Sequence, residues 1–249
     1  LIYMYKYIGR FMMNILLSKT EQDLLFLLEE LTKHHDWIEI PDLAKKMNFS
    51  IEELQEHLFK LEQLFPNLLL QSSKKGIQLQ FDFQNALDPR TAIFKQSETY
   101  SFLNQLFFNE GQSLEQMCQE LVMSCERVQE IIQHLNTNLP QHYGISIQLS
   151  PLVMEGTEED IRAFYLDYFS QSYDFLDWPF PSISEESLTH LVQLFLDAQQ
   201  VSPNLSSLRQ IKYTLAINLE RFNKRYLIKN PTPLLTSHYS SLMQIPQFE

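Results

Sequence analysis

The chain has 249 residues, enough for one large domain or two to three small ones. Hydrophobic residues make up 44% and charged residues 20%, which supports a packed core and argues against global disorder. Only five glycines are present, which disfavours phosphate-cradling loops, and a formal net charge of −12 supplies no whole-molecule attraction to nucleic acid or anionic membrane, so any nucleic-acid binding has to come from local positive patches.

The chain opens with LIYMYKYIGRFMMNILLSK. Lys6 and Arg10 interrupt its apolar run well short of the roughly 20 residues of a spanning helix. It also lacks a small-residue cleavage site. Met12 and Met13 stand just ahead of the first well-patterned helix, so residues 1–12 are expected to be an upstream extension, with a secretory signal as the alternative. An amphipathic helix is predicted over Thr20–Lys33, with Leu24, Leu25, Leu27, Leu28 and Leu31 on its apolar face. Next, His34-His35-Asp36 is a poor metal site, because adjacent histidines do not share one helix face. Trp37–Ile40 reads as a short strand.

Leu43 and Met47 then sit one helical turn apart on a short helix. Asn48-Phe49-Ser50 reads as a turn, and Ser50 as the cap of the next helix, with Glu53 at the capping-box position. Leu54, Leu58, Leu61 and Phe65 form its buried stripe, and Pro66 is expected to end it. NLLLQSSKKGIQLQF predicts strand, turn and strand, turning at Ser73–Gly76, with Ile77, Leu79 and Phe81 on one face.

A shift of 74 positions lays Asp42–Pro66 on Gln116–Pro140 without a gap. Ser50 meets Ser124, Glu52 meets Glu126, Gln55 meets Gln129, and Pro66 meets Pro140, which is likewise expected to end its helix. The apolar positions coincide as well: Leu43 with Met117, Leu54 with Val128, Leu58 with Ile132 and Leu61 with Leu135. Ala44 meets Cys118, small on small. This is a duplicated helix–turn–helix. In the second copy Ser124 caps, but Arg127 replaces the glutamate of the box. A helix over Ser97–Phe108 precedes this copy, and YGISIQLSPLVMEG supplies two strands after it. Three helices and a hairpin make a winged helix, so two of them are expected in tandem, over 13–88 and 89–156. Cys118 and Cys125 fit no zinc spacing, and two free buried thiols are expected, since disulfides are rare in a reducing cytosol.

From Thr157 the pattern changes to long capped helices: TEEDIRAFYLDYFSQ, SEESLTHLVQLFLDAQQ and NLSSLRQIKYTLAINLERFNKRYLI. The tail from Asn230 is rich in proline and serine. A fold class follows: mostly α with small β-hairpins, two tandem winged helix-turn-helix domains, then an all-helical region over 157–249 that reads as incomplete.

With MSCERVQEIIQHLN, MEGTEEDIRAFYLDYF and YTLAINLERF in this order, the chain from Met13 resembles the Mga family of virulence regulators in Gram-positive bacteria, which includes the RofA-like and AtxA-like proteins. The segment Gly156–Tyr165 carries the resemblance most specifically. It implies a cytoplasmic regulator, with two N-terminal DNA-binding domains followed by domains similar to phosphotransferase-system regulation domains (PRD). The second PRD-like domain and the EIIB-like end of the family are missing here, which implies a fragment or a truncated member. His190 is the best positional match to a phosphorylated PRD histidine, and His238 a weaker one. The implied partners are double-stranded promoter DNA, a second copy of the chain and a phosphotransferase-system phosphocarrier protein; no membrane, metal or cofactor is implied, nor any enzymatic activity.

The cations available for phosphate are Lys45 and Lys46 on the short helix, Lys60, Lys74 and Lys75 in the first wing, and Arg127. Base reading falls to Ser50, Glu52, Glu53 and Gln55 in the first copy, and to Ser124, Glu126, Arg127, Gln129 and Gln133 in the second, near the start of each candidate recognition helix. Residues 101–156 hold one arginine against six glutamates. That balance keeps open an alternative: an acidic tandem winged-helix module that binds proteins, like those in chromosome-partitioning accessory proteins, rather than DNA.

Overall fold

The computed structural model describes residues 13–34, 36–65, 69–73, 76–80, 89–173 and 177–228. Helix α1 (Lys19–Lys33) starts on a full capping box between Ser18 and Glu21, and buries Leu24, Leu25, Leu27, Leu28 and Leu31. Helices α2 (Ile40–Met47) and α3 (Ile51–Leu64) follow, and Asn48 takes a left-handed conformation (φ 56°) between them. Ser50 caps α3, and its box with Glu53 is complete. Strands β1 (Leu69–Ser73) and β2 (Gly76–Gln80) pair antiparallel, with Ser73 opposite Gly76. Pro66 and Phe81 lie outside the described residues.

The strand expected over Trp37–Ile40 is reduced to one bridge. Ile38 exchanges two 2.8 Å backbone hydrogen bonds with Ile77, while Ile40 and Pro41 already open α2. A proline in the first helical turn favours helix over strand there. Gly76 is required by this bridge: its φ is +118°, and an added Cβ would lie 2.0 Å from the Ile38 carbonyl oxygen.

The second copy repeats the arrangement. Helices α5 (Glu98–Phe108), α6 (Leu114–Leu121) and α7 (Cys125–Tyr143) lead into strands β3 (Ser146–Leu149) and β4 (Leu152–Glu155). Gly111 and Gln112 bond to Leu152 as Ile38 does to Ile77. Buried positions match at the 74-residue shift: Leu43 with Met117, Ala44 with Cys118, Leu54 with Val128, Leu61 with Leu135. An additional helix, α4 (Pro89–Gln96), precedes this copy. Sequence reading passes over it because PRTAIFKQ has no stripe; it forms around buried Ile93 and Phe94.

Two expectations fail in this copy. Pro140 does not end its helix: α7 runs on to Tyr143, where Gly144 caps it at φ 67°. Leu139 is fully buried, and its packing holds the chain helical past the missing N–H. The cysteines are not free either: Cys118 and Cys125 are joined in a disulfide, with Cα atoms 5.4 Å apart. The turn between α6 and α7 brings the two positions face to face, which linear spacing does not reveal.

Val122 occupies the place of Asn48 in this turn, at φ 55° and ψ 42°. Asparagine tolerates that region; a β-branched residue does not. Val122 is also 91% exposed, so burial does not offset the strain. Val122→Asn should therefore stabilise the protein by about 1 kcal/mol, raising Tm by roughly 2–4 °C in calorimetry. An unchanged or lower Tm would count against strain at this position.

Helices α8 (Glu158–Ser172), α9 (Glu185–Ala198) and α10 (Leu205–Asn223) form the remainder. Thr157 caps α8, with Glu158, Glu159 and Asp160 in its first turn. Tyr165, Tyr168 and Phe169 of α8 pack against Phe107 of α5, Phe180 and each other. This aromatic layer joins the second copy to the helical region. At its edge, Arg221 from α10 is buried between Glu110 and Glu158.

Candidate nucleic-acid interface

The buried stripes of α3 and α7 face the core, so the opposite strips face outward. Glu52, Gln55, Glu56, Phe59 and Lys60 are exposed along α3. Glu126, Arg127, Gln129, Glu130 and Gln133 are exposed along α7. Every expected base-reading position is exposed, and the two strips correspond at four places: Glu52 with Glu126, Gln55 with Gln129, Glu56 with Glu130 and Phe59 with Gln133. Phe59 was not anticipated. It is 60% exposed where the second copy has Gln133, and it gives the first strip an apolar contact.

The capping serines are already engaged. Ser50 Oγ accepts from the Glu53 amide at 3.1 Å, and Ser124 Oγ accepts from the Arg127 amide at 3.2 Å. The Glu53 carboxylate accepts from the Ser50 amide at 2.8 Å, and this bond holds its pKa below the ordinary carboxylate value. Glu53 thus serves the cap rather than the outer face.

Two of the cations are engaged as well. Lys46 on α2 is exposed but ion-paired with Glu30 of α1. That ammonium is the main reason why the Glu30 carboxyl drops to about 2, with His34 and Lys33 adding to it. Arg127 donates through Nε to Glu98 of α5 at 2.6 Å and through Nη1 to Glu130 at 2.8 Å. Glu130 is legible in sequence as a neighbour three residues on; Glu98 is not, being 29 residues away. Lys45 and Lys60 are exposed. Lys74, Lys75 and His238 lie outside the described residues, and His190 is exposed on α9.

Both copies match known domains. Residues 18–77 match the M protein trans-acting positive regulator (Mga) helix-turn-helix domain, and residues 84–169 match the Mga helix-turn-helix domain. The chain belongs to the Mga family.

A protein of Streptococcus pneumoniae described as a trans-acting regulator is 34% identical over 84% of this chain and 43% of its own length. The anthrax toxin expression trans-acting positive regulator of Bacillus anthracis is 25% identical over 93% of this chain and 50% of its own. The capsule synthesis positive regulator AcpB of the same organism is 20% identical over 82% and 42%. The chain thus spans about half the length of the curated relatives it matches. The Mga family is one of helix-turn-helix regulators, not of enzymes. Among the described residues, no helix is long and apolar enough to cross a membrane.

The second Mga match ends inside α8, at residue 169. The helix-turn-helix of the second copy and the α8 aromatics Tyr165, Tyr168 and Phe169 therefore fall within one matched unit, consistent with the packing of Phe107 on Tyr165 and Phe169.

Proposed function

We propose that the protein is a cytoplasmic, DNA-binding transcription regulator, an activator of virulence or surface-protein genes. It docks promoter DNA through two winged helices, over 13–88 and 89–156. The observation that carries this reading is the pair of exposed polar strips on α3 and α7, held in the same frame by twin turns. A helix–turn–helix and a hairpin in each copy support the winged-helix assignment. The region from 157 to 249 acts as a PRD-like domain that controls self-association. His190 stands open on α9, where a phosphocarrier protein could reach it, and its phosphorylation would add negative charge to that face.

Affinity rests on few cations, so it is modest, and its fall with salt is correspondingly shallow. Promoter fragments should bind at low salt, with a log–log slope set by a handful of phosphate contacts. Lys74→Glu with Lys75→Glu should weaken binding uniformly across sequences and flatten that slope by roughly 2, about one per lysine. Binding unchanged by this pair would remove the first wing from the interface. A second reading is favoured by the acids on both strips and by the ion pairs of Lys46 and Arg127. In that reading the winged helices are an acidic protein-interaction module. An absence of DNA binding even at low salt would support it.

A further inference from the structure

The Cys118–Cys125 disulfide crosses the turn between α6 and α7. The twin turn in the first copy has Ala44 and Ile51 at these places, with no cross-link. We propose that this pair is a reversible thiol–disulfide modification site. It exchanges with a low-molecular-weight thiol, and its state sets the rigidity of the second helix-turn-helix.

The two sulfurs differ in access. Cys118 is buried on the inner face of α6, while Cys125 is only partly buried and is the first residue of the 19-residue α7. An incoming thiolate therefore meets the Cys125 sulfur first. Its attack forms a mixed disulfide with Cys125 and breaks the S–S bond. Cys118 leaves as a thiolate and takes a proton from water. A second thiol then attacks the mixed disulfide, releasing Cys125 as a thiol and the two small molecules as their own disulfide. Two electrons pass to the protein and two small thiols are oxidised. In the reverse direction a low-molecular-weight disulfide is the oxidant. The amino end of α7 favours the Cys125 thiolate, which makes it the attacking group, and Cys118 the resolving one.

The turn gives the exchange a consequence. Without the cross-link it is held by the hydrogen bonds from Met123 N to Cys118 O (3.0 Å) and from Val122 N to Gln119 O (3.2 Å), and by a cap on Ser124. Those bonds have to hold Val122 left-handed, a strain that the first copy avoids with Asn48. Arg127 lies two residues beyond Cys125, so loosening the turn loosens the entry to the exposed strip of α7. This last step rests on the reading of α7 as a DNA-contacting helix. A disulfide in a reducing compartment is typically transient or redox-sensing, which suits the role.

The full chain would be equilibrated in glutathione buffers of graded redox ratio, alkylated, and analysed by mass spectrometry. Cys118 and Cys125 should change together as one two-electron couple. The oxidised form should melt about 5 °C higher than the reduced form. Cys118→Ala, the residue of the twin copy, should fold and lose that difference. Cysteines that alkylate independently, or a Cys125–glutathione adduct that accumulates in place of the disulfide, overturn the proposal. Promoter affinity is measured on the same samples, and should fall severalfold on reduction. A shift in melting with unchanged DNA affinity overturns the reading of α7 as a DNA-contacting helix and leaves the thiol site standing.

Discussion

Replacing Arg221 with methionine should cost about 3–5 kcal/mol in urea unfolding, the largest single-residue effect expected outside the apolar core. The guanidinium is 1% exposed and donates to Glu110 Oε2 at 2.5 Å, and to both Glu158 oxygens at 2.9 and 2.7 Å. Glu110, whose side chain is fully buried, also accepts the Met154 amide of β4 at 2.7 Å. One cluster thus ties α10 to the loop before α6 and to the hairpin. Burial already pushes the Glu110 carboxyl up, and Arg221 opposes that push. Without Arg221 the acid is left unpaired and takes up a proton on folding.

The sign of the pH dependence follows. A carboxyl whose folded pKa is raised favours the folded state while protonated, and that contribution is lost as pH rises from the ordinary carboxylate range through the raised value. The Arg221→Met variant should therefore recover part of its loss as pH is lowered towards the ordinary carboxylate range. Adding Glu110→Gln should recover part of it at neutral pH, because the buried charge is gone. A loss below 1 kcal/mol at neutral pH, or no rescue from Glu110→Gln, would show that the cluster is not what fastens α10.

For DNA binding, Arg127→Ala should weaken promoter affinity by 1–3 kcal/mol, roughly five- to 150-fold, if the guanidinium reads a base. The opposite change is expected when its partners are neutralised. Glu98→Gln with Glu130→Gln leaves Arg127 in place, releases it from two carboxylates and removes two negative charges from the approach face. Affinity should rise several-fold at low salt, and the gain should shrink as salt is added. All three side chains are close to half exposed or more, so pairing contributes at most about 1 kcal/mol to stability and the variants should remain folded. If the double variant weakens binding as much as Arg127→Ala, the ion pairs shape the helix rather than restrain a contact. If neither change moves affinity, α7 is not the reader.

Much of the fold was legible from period and caps. The 74-residue repeat located both helix–turn–helix units, because burial of Leu54, Leu58 and Leu61 and their partners requires the same stripe twice. Ser50, Ser124 and Thr157 marked helix starts, because a hydroxyl that accepts an otherwise unpaired amide acts within four residues. The exposed positions of the candidate site followed from the same periodicity: what lies opposite a buried stripe faces water.

Packing set the remainder. Helix α4 forms around two buried apolar side chains, and α7 continues past Pro140 because Leu139 is held in the core. Cys118 meets Cys125 through the geometry of a turn, Arg127 meets Glu98 across 29 residues, and Arg221 meets Glu110 across 111. Periodicity and capping are local, carried by residues within a few positions of each other, so a linear reading captures them. Ion pairs between elements, a cross-link over a turn and a helix stabilised from outside depend on distances that exist only once the chain has folded. That is why the exposed positions of α3 and α7 were readable in the sequence, while the pairing of Arg127 with Glu98 and of Lys46 with Glu30 was not.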